Sequence, residues 1–197
     1  MSGITSSSHP EAGDTSDQIL EAAAAVIVRE GMSGASLRSV AREADVSLGL
    51  LSYHFDDKRS LIVAAFQLVT DRLFAASLDT LEGISDPDDR VRAYIRNAFT
   101  PEFLTPDYLA IRLALWAISR SDELIAEAES KHERRYTNTL ASLIGEARPA
   151  VSKREADNRA TDVIVTQNGL WLNWARYQNS VDLERGLTRC ETIALAD

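Results

Sequence analysis

The chain has 197 residues, of which 45% are hydrophobic and 26% charged. That is the balance of a soluble globular protein of one or two domains, and it excludes a disordered chain, a collagen and a disulfide scaffold. The formal net charge of −9 argues against indiscriminate nucleic-acid binding, which needs a basic surface.

Only nine Gly and five Pro occur, so long stretches carry no breaker and helices are favoured over a many-turned β-sandwich. The single Cys190 allows no intramolecular disulfide and no cysteine-based zinc site, and it suits a reducing, cytoplasmic compartment. The longest purely apolar run, Ala22 to Val28, has seven residues. A membrane span needs about 20, so no membrane partner is expected. Residues 1–13 contain no Lys or Arg and no apolar h-region. They read as a disordered tail rather than a secretory signal.

In chain order, Asp14 to Glu30 reads as a first helix, with Ile19, Ala22, Ala23, Val26 and Ile27 recurring at three and four. Asp14, Thr15 or Ser16 is placed to cap it, and Gly31 to end it. Ser36 then stands as N-cap of a short second helix in which Leu37, Val40, Ala41 and Ala44 share a face. Asp45-Val46 makes a tight connection, and Ser47 caps a short third helix, SLGLLSYHF. There Val46, Leu51 and Phe55 are placed inward, leaving Leu48, Leu50, Ser52, Tyr53 and His54 outside. Asp56 or Asp57 caps a long connecting helix over 57–81, with its stripe at Leu61, Ala65, Leu68, Val69, Leu73 and Phe74.

A composition shift at Gly83-Ile84-Ser85-Asp86-Pro87 opens a second region, 82–197. Asp88 to Thr100 is amphipathic. Asp107 to Ser119 is nearly apolar throughout, so it is expected to be buried on all sides. Asp122 to Ala147 is the most charged helix and is placed on the outside. Ser152 to Tyr177 carries a broad apolar band, and Asp182 is placed to cap a last helix. The fold class is all-α: a three-helix head and a larger helical body, about nine helices in total.

Two short helices joined by a tight turn, behind a supporting helix, are the helix-turn-helix layout, here spanning 14–60. A reading helix must fit a groove about 12 Å wide. Gly49 permits close approach to the DNA backbone. The competing interpretation is a helical hairpin whose leucines are merely core.

The stretch SLRSVAREADVSLGLLSYHFDDKRSL resembles the helix-turn-helix of the TetR family, commonly T-x-x-x-I-A-x-x-A-G-V-S-x-G-x-[LI]-Y-x-H-F-x-x-K-x-x-L. The matching residues are Ser36, Val40-Ala41, Ala44, Val46-Ser47, Gly49, Leu51, His54-Phe55, Lys58 and Leu61. Asp45 replaces the turn glycine and Ser52 replaces a Tyr that usually touches phosphate. Asp tolerates the left-handed conformation better than most residues. Ser52 with the rings after it, and the late GLWLNWA, look like the BetI-type branch, the choline-responsive repressors.

The resemblance implies a sequence-specific DNA-binding transcriptional regulator, a repressor released from a palindromic operator by a small-molecule effector. Carried over by position, Arg38 resembles the family's base-reading residue on the second helix. Leu48, Leu50, Tyr53 and His54 resemble its base and sugar contacts, and Ser36, Ser47, Ser52 and Lys58 its phosphate contacts. Arg can grip guanine in a bidentate way, and Ser-capped helix N-termini present N–H groups to phosphate. Residues 14–60 nonetheless hold five Lys/Arg against eight Asp/Glu. Few phosphate contacts and a shallow salt dependence are therefore expected.

A homodimer through the last two helices would place two reading helices about 34–36 Å apart, or a multiple of that. The body is then a ligand-binding and dimerisation domain. Candidate effector contacts are Phe99, Phe103, Tyr108, Arg112, Trp116, Gln167, Asn168, Trp171 and Trp174. Aromatic cages bind quaternary ammonium groups, so a cationic or aromatic effector is expected. Aromatic residues at this spacing are also ordinary core. No catalytic residues, cofactor or metal is expected, since His9, His54 and His132 are scattered and no phosphate loop or nucleophile motif occurs. Glu129-Ser-Lys-His132 has the E-x-x-H spacing of di-iron bundles, but only one copy occurs, so it is read as a solvated pair. The alternatives are a helical interaction module without DNA binding, which the pI of about 4.9 favours, and a metal-binding bundle.

Overall fold

The computed structural model describes residues 12–101 and 103–197, excepting the side chains at 12–14, 32 and 33. The expected tail lies outside these residues for all but its last two positions. Among the described residues there are nine helices and no strand. The chain divides into two compact units between Leu68 and Val69.

The first unit holds α1 (Ala12–Gly34), α2 (Leu37–Glu43), α3 (Leu48–His54) and the first half of α4 (Lys58–Asp79). α1 starts before Asp14, so positions 14–16 lie within it instead of capping it. Gly31 breaks the helix with a φ of 72°, a conformation that glycine adopts without strain. The buried set is Ile19, Ala22, Ala23, Val26 and Ile27 from α1, Val40, Ala41 and Ala44 around α2, Leu51 and Phe55 around α3, and Leu61, Ile62, Ala65 and Phe66 from α4. α2 begins with a capping box: Ser36 Oγ accepts from Ser39 N (3.1 Å) and Ser39 Oγ accepts from Ser36 N (2.9 Å). Asp45 takes the left-handed turn position with φ 52°. Asp57 caps α4, accepting from Ser60 N at 2.7 Å.

The second unit holds the end of α4 with α5 (Pro87–Asn97), α6 (Pro106–Ser119), α7 (Glu123–Ala147), α8 (Lys153–Tyr177) and α9 (Ser180–Ala194). α5 and α6 each begin with proline, behind the caps Asp86 and Thr105. α9 is capped by Asn179, whose Oδ1 accepts from Val181 N and Asp182 N, so Asp182 lies inside the first turn. Among the described residues, α4 is the one helix long and apolar enough to cross a membrane by length and composition. Its apolar residues 61, 62, 65, 66 and 73 are instead buried in protein.

Two expectations are corrected here. The charged helix α7 is not peripheral but central, packing on α5, α6 and α8. All its charges but Glu129 lie away from the buried side, which holds Ile125, Ala128, Tyr136, Leu140, Leu143 and Ile144 along with Glu129 and His132. Conversely, apolar α6 buries only Leu109, Ile111 and Leu115, and its Ala110 and Ala117 are exposed. Its main packing partners are α7 and α8.

Polar side chains tie the body together. The Tyr94 and Tyr136 rings stack at 4.6 Å, and Tyr136 donates to the Tyr94 carbonyl at 3.0 Å. Arg148 grips both Asp88 oxygens (2.6 and 3.2 Å) and the Leu195 carbonyl (2.8 Å), joining the starts and ends of three helices. Arg96 on α5 bridges to Glu184 and Glu191 on α9.

Leu140, fully buried on α7, tests that helix's central position. Leu140→Ala should cost about 2–5 kcal/mol in denaturant unfolding, the range for a core cavity. A loss within about 0.5 kcal/mol, as for a surface site, would return α7 to the exterior.

Candidate nucleic-acid interface and internal cavity

A seven-residue helix cannot hold itself together in water, so α3 depends on its anchors. Leu51 is fully buried and Phe55 nearly so. The turn before it is pinned by Gln18 of α1, whose Nε2 donates to the Ala44 carbonyl at 2.8 Å. Ser47 accepts from Leu50 N at 3.1 Å as N-cap. With Leu51 inward, Leu48 and Leu50 are each 40% exposed and Tyr53 is 83% exposed. Ser52 is exposed as well, and His54 is half-buried with its ring edge-on to Tyr53 at 5.4 Å.

Arg38, Ser36 and Ser47 are exposed on the neighbouring elements, and Lys58 is half-buried at the start of α4. The Ser36 hydroxyl is already engaged by Ser39. Gly49 has no internal reason to be glycine: a Cβ there would meet nothing nearer than Ser47 Oγ at 3.8 Å. Of the acids that oppose DNA, Glu43 is ion-paired to Arg29 at 2.9 Å. Asp57 is turned toward its own helix start, where the Ser60 amide holds its carboxyl below the usual range.

In the body, α6, α7 and α8 line a part-open cavity of about 40 Å³. α6 supplies Arg112 and Trp116, α7 supplies His132, Glu133 and Tyr136, and α8 supplies Ile164, Gln167, Asn168 and Trp171. Leu73 and Ala98 complete the wall. Five of the nine expected contacts are therefore together: Arg112, Trp116, Gln167, Asn168 and Trp171. The other four lie outside the lining. Phe99 packs edge-on against Trp171 (5.6 Å), Tyr108 lies between Phe103 (5.4 Å) and Trp171 (5.1 Å), and Trp174 donates to the Leu104 carbonyl. Gln167 spends its amide N–H on the Ile95 carbonyl, at 2.9 Å.

The Glu129–His132 pair is not solvated, which corrects the sequence expectation. The two residues are 9% and 7% exposed, on the inner side of α7. Burial pushes the Glu129 carboxyl above its usual range, while nearby Arg112 and a hydrogen bond from Trp116 pull the other way. Burial, with Arg112 and Arg135 close by, lowers His132 to about 3, so its ring is neutral at physiological pH. Burial also raises the Tyr108 phenol to about 12. Among the described residues no group of three His, Cys, Asp or Glu is arranged to hold a metal. The buried polar side of α7 could have been found from its i, i+3 spacing, had its faces been counted separately.

An outward-facing seven-residue helix, anchored behind a capped turn and carried ahead of an all-helical body with an internal cavity, defines a helix-turn-helix regulator. Residues 19–65 match the model for bacterial regulatory proteins of the tetR family. Residues 87–195 match the C-terminal domain of BetI-type transcriptional repressors. The chain is 28% identical over 171 residues to the HTH-type transcriptional regulator BetI of Burkholderia ambifaria, covering 86% of this chain and 87% of that one. It is 29% identical over the same length to the BetI regulator of Burkholderia thailandensis, covering 86% of each. A Pseudomonas aeruginosa PAO1 protein described as a transcriptional regulator superposes with a TM-score of 0.83 at 26% identity, over 93% of this chain and 89% of that one. A Saccharomonospora viridis protein, solved in complex with choline, superposes with a TM-score of 0.79 at 20% identity, over 94% and 97%. The chain belongs to the TetR family, in its BetI-type branch. It is a DNA-binding transcriptional regulator, not an enzyme.

The buried imidazole has a consequence for stability. Unfolded, His132 titrates near 6.5; folded, near 3. Between those values the unfolded chain binds the extra proton, so this group makes the fold weaker as pH falls through the window. Glu129 acts in the opposite sense, since its raised pKa favours the fold while the carboxyl is protonated. Thermal unfolding between pH 7 and 4 should show His132→Gln flattening the pH slope by up to about 1.4 kcal/mol per pH unit. An unchanged slope would place the ring in water.

Proposed function

We propose that two copies of this chain bind a palindromic operator through α3 and release it when a small molecule enters the body cavity. The observation that carries the reading is the orientation of α3: one buried leucine leaves Leu48, Leu50 and Tyr53 facing outward. These residues would touch thymine methyls and sugars. Arg38 would read a base edge. Ser36, Ser47, Ser52 and Lys58 would contact phosphate, and His54 would lie at the edge of the same face. The affinity per head is modest, because the surrounding charge is mixed, and two heads supply the rest. Such a regulator works in the cytoplasm.

The dimer would form through α8 and α9. Val165, Gly169 and Leu172 make an exposed stripe on α8, and Val181 on α9 is 72% exposed. Gly186 allows the two helices to approach closely, since a Cβ there would lie 2.2 Å from Leu170 Cδ2. Apolar stripes of this kind pair across a two-fold axis into a four-helix bundle. The Saccharomonospora viridis protein holds choline. Here the cavity lined by Arg112, Trp116, His132 and Trp171 is the proposed effector site.

A mobility shift with DNA from upstream of the protein's own coding region tests the interface. Tyr53→Ala should weaken binding about tenfold or more with unchanged circular dichroism. Gly49→Ala should separate the two roles of that position: up to about 1 kcal/mol more stable as helix, yet weaker on DNA. Unchanged binding in both variants would leave a helical module that uses another surface. For the dimer, Leu172→Glu should shift sedimentation toward a single copy and weaken DNA binding with it; a dimer that survives this substitution uses a different face.

A further inference from the structure

The cavity wall carries a cation of its own. The Arg112 guanidinium lies 5.2 Å from the Trp116 ring centre and 5.4 Å from that of Trp171. These are the ring faces that would otherwise attract a quaternary ammonium. A second cation there would be repelled by the first.

The guanidinium is also incompletely satisfied. Its Nε and Nη1 are buried without a hydrogen-bond partner. Arg96, Arg135 and Arg148 are each held by a carboxylate at 2.6–2.7 Å. Among the described residues, Arg112 makes no such ion pair. Leaving charged donors buried and unpaired is costly, and a guanidinium fork fits the two oxygens of a carboxylate.

The acids nearby do not fill that role. Glu133 is exposed. Glu129 is buried with its own Oε1 unpartnered, and burial favours its neutral form, which lessens its repulsion of an entering anion. Leu73, Ala98 and Ile164 add apolar wall beside the rings, while His132, Tyr136, Gln167 and Asn168 keep the remainder polar.

We propose that the effector is a small organic carboxylate whose anionic end pairs with Arg112 and whose apolar body lies against Leu73, Ile164 and Trp171. This inference rests on the reading of the cavity as the effector site.

The test uses the full-length protein, calorimetric titration and the operator mobility shift. The probes are benzoate, phenylacetate and hexanoate, each beside its neutral amide, with choline and tetramethylammonium as cations. At least one acid is expected to bind about tenfold or more tightly than its amide and to release the DNA. Arg112→Gln should abolish that preference, while Arg112→Lys should keep part of it. Should the Gln variant fail to fold, the acid-against-amide comparison on the unaltered chain still decides. Release by the cations with no acid preferred over its amide would overturn the carboxylate assignment and leave the effector site standing. DNA release by none of the probes, with no heat of binding, would remove the assignment and the support for an effector site together.

Discussion

The burial of Leu51 is the constraint on which the exposed face of α3, and with it the proposed DNA reading, depends. α3 is too short to persist alone, so its orientation is set by one side chain pointing into the head and by Phe55 just after it. Everything exposed on α3 is exposed because Leu51 is not. The left-handed Asp45 and the Gln18 bond to Ala44 set the direction from which α3 enters. Under the proposed function, a loss of packing at position 51 would therefore present itself as a loss of recognition, without any outward-facing residue having changed.

The body solves a different problem. It must be rigid enough to hold a cavity and yet carry charge inside. The stacked tyrosines and the Arg148 and Arg96 clamps hold the helices to one another. Arg112 and Glu129, by contrast, retain unpartnered atoms. Buried polar groups left unpaired call for an explanation, and the proposed effector site supplies one.

Much of the head was legible in the sequence because its signals are local. Ser36 and Ser47 are caps, Asp45 tolerates a positive φ, and Leu51 and Phe55 are the apolar residues of a short segment. Chain contacts at a distance were less legible. α7 looked peripheral because its charge was averaged around the helix, although Tyr136, Leu140, Leu143 and Ile144 share the buried side. α6 looked enclosed because its residues are apolar, but apolarity does not supply neighbours. In the cavity the rings and Arg112 stood out by type. His132 and Tyr136 were missed because their burial follows from helix packing rather than from any motif. Gln167 is named from sequence only as a candidate effector contact, and the partner of its amide, the Ile95 carbonyl, is 72 residues away.

Tryptophan occurs in this chain only at 116, 171 and 174, all in the body. Two of these indoles line the cavity beneath the same guanidinium, and the third packs nearby. The head has none. Selective excitation of indole emission would therefore illuminate the cavity-bearing unit and leave the helix-turn-helix unit dark, so the chain carries a built-in optical label for its body.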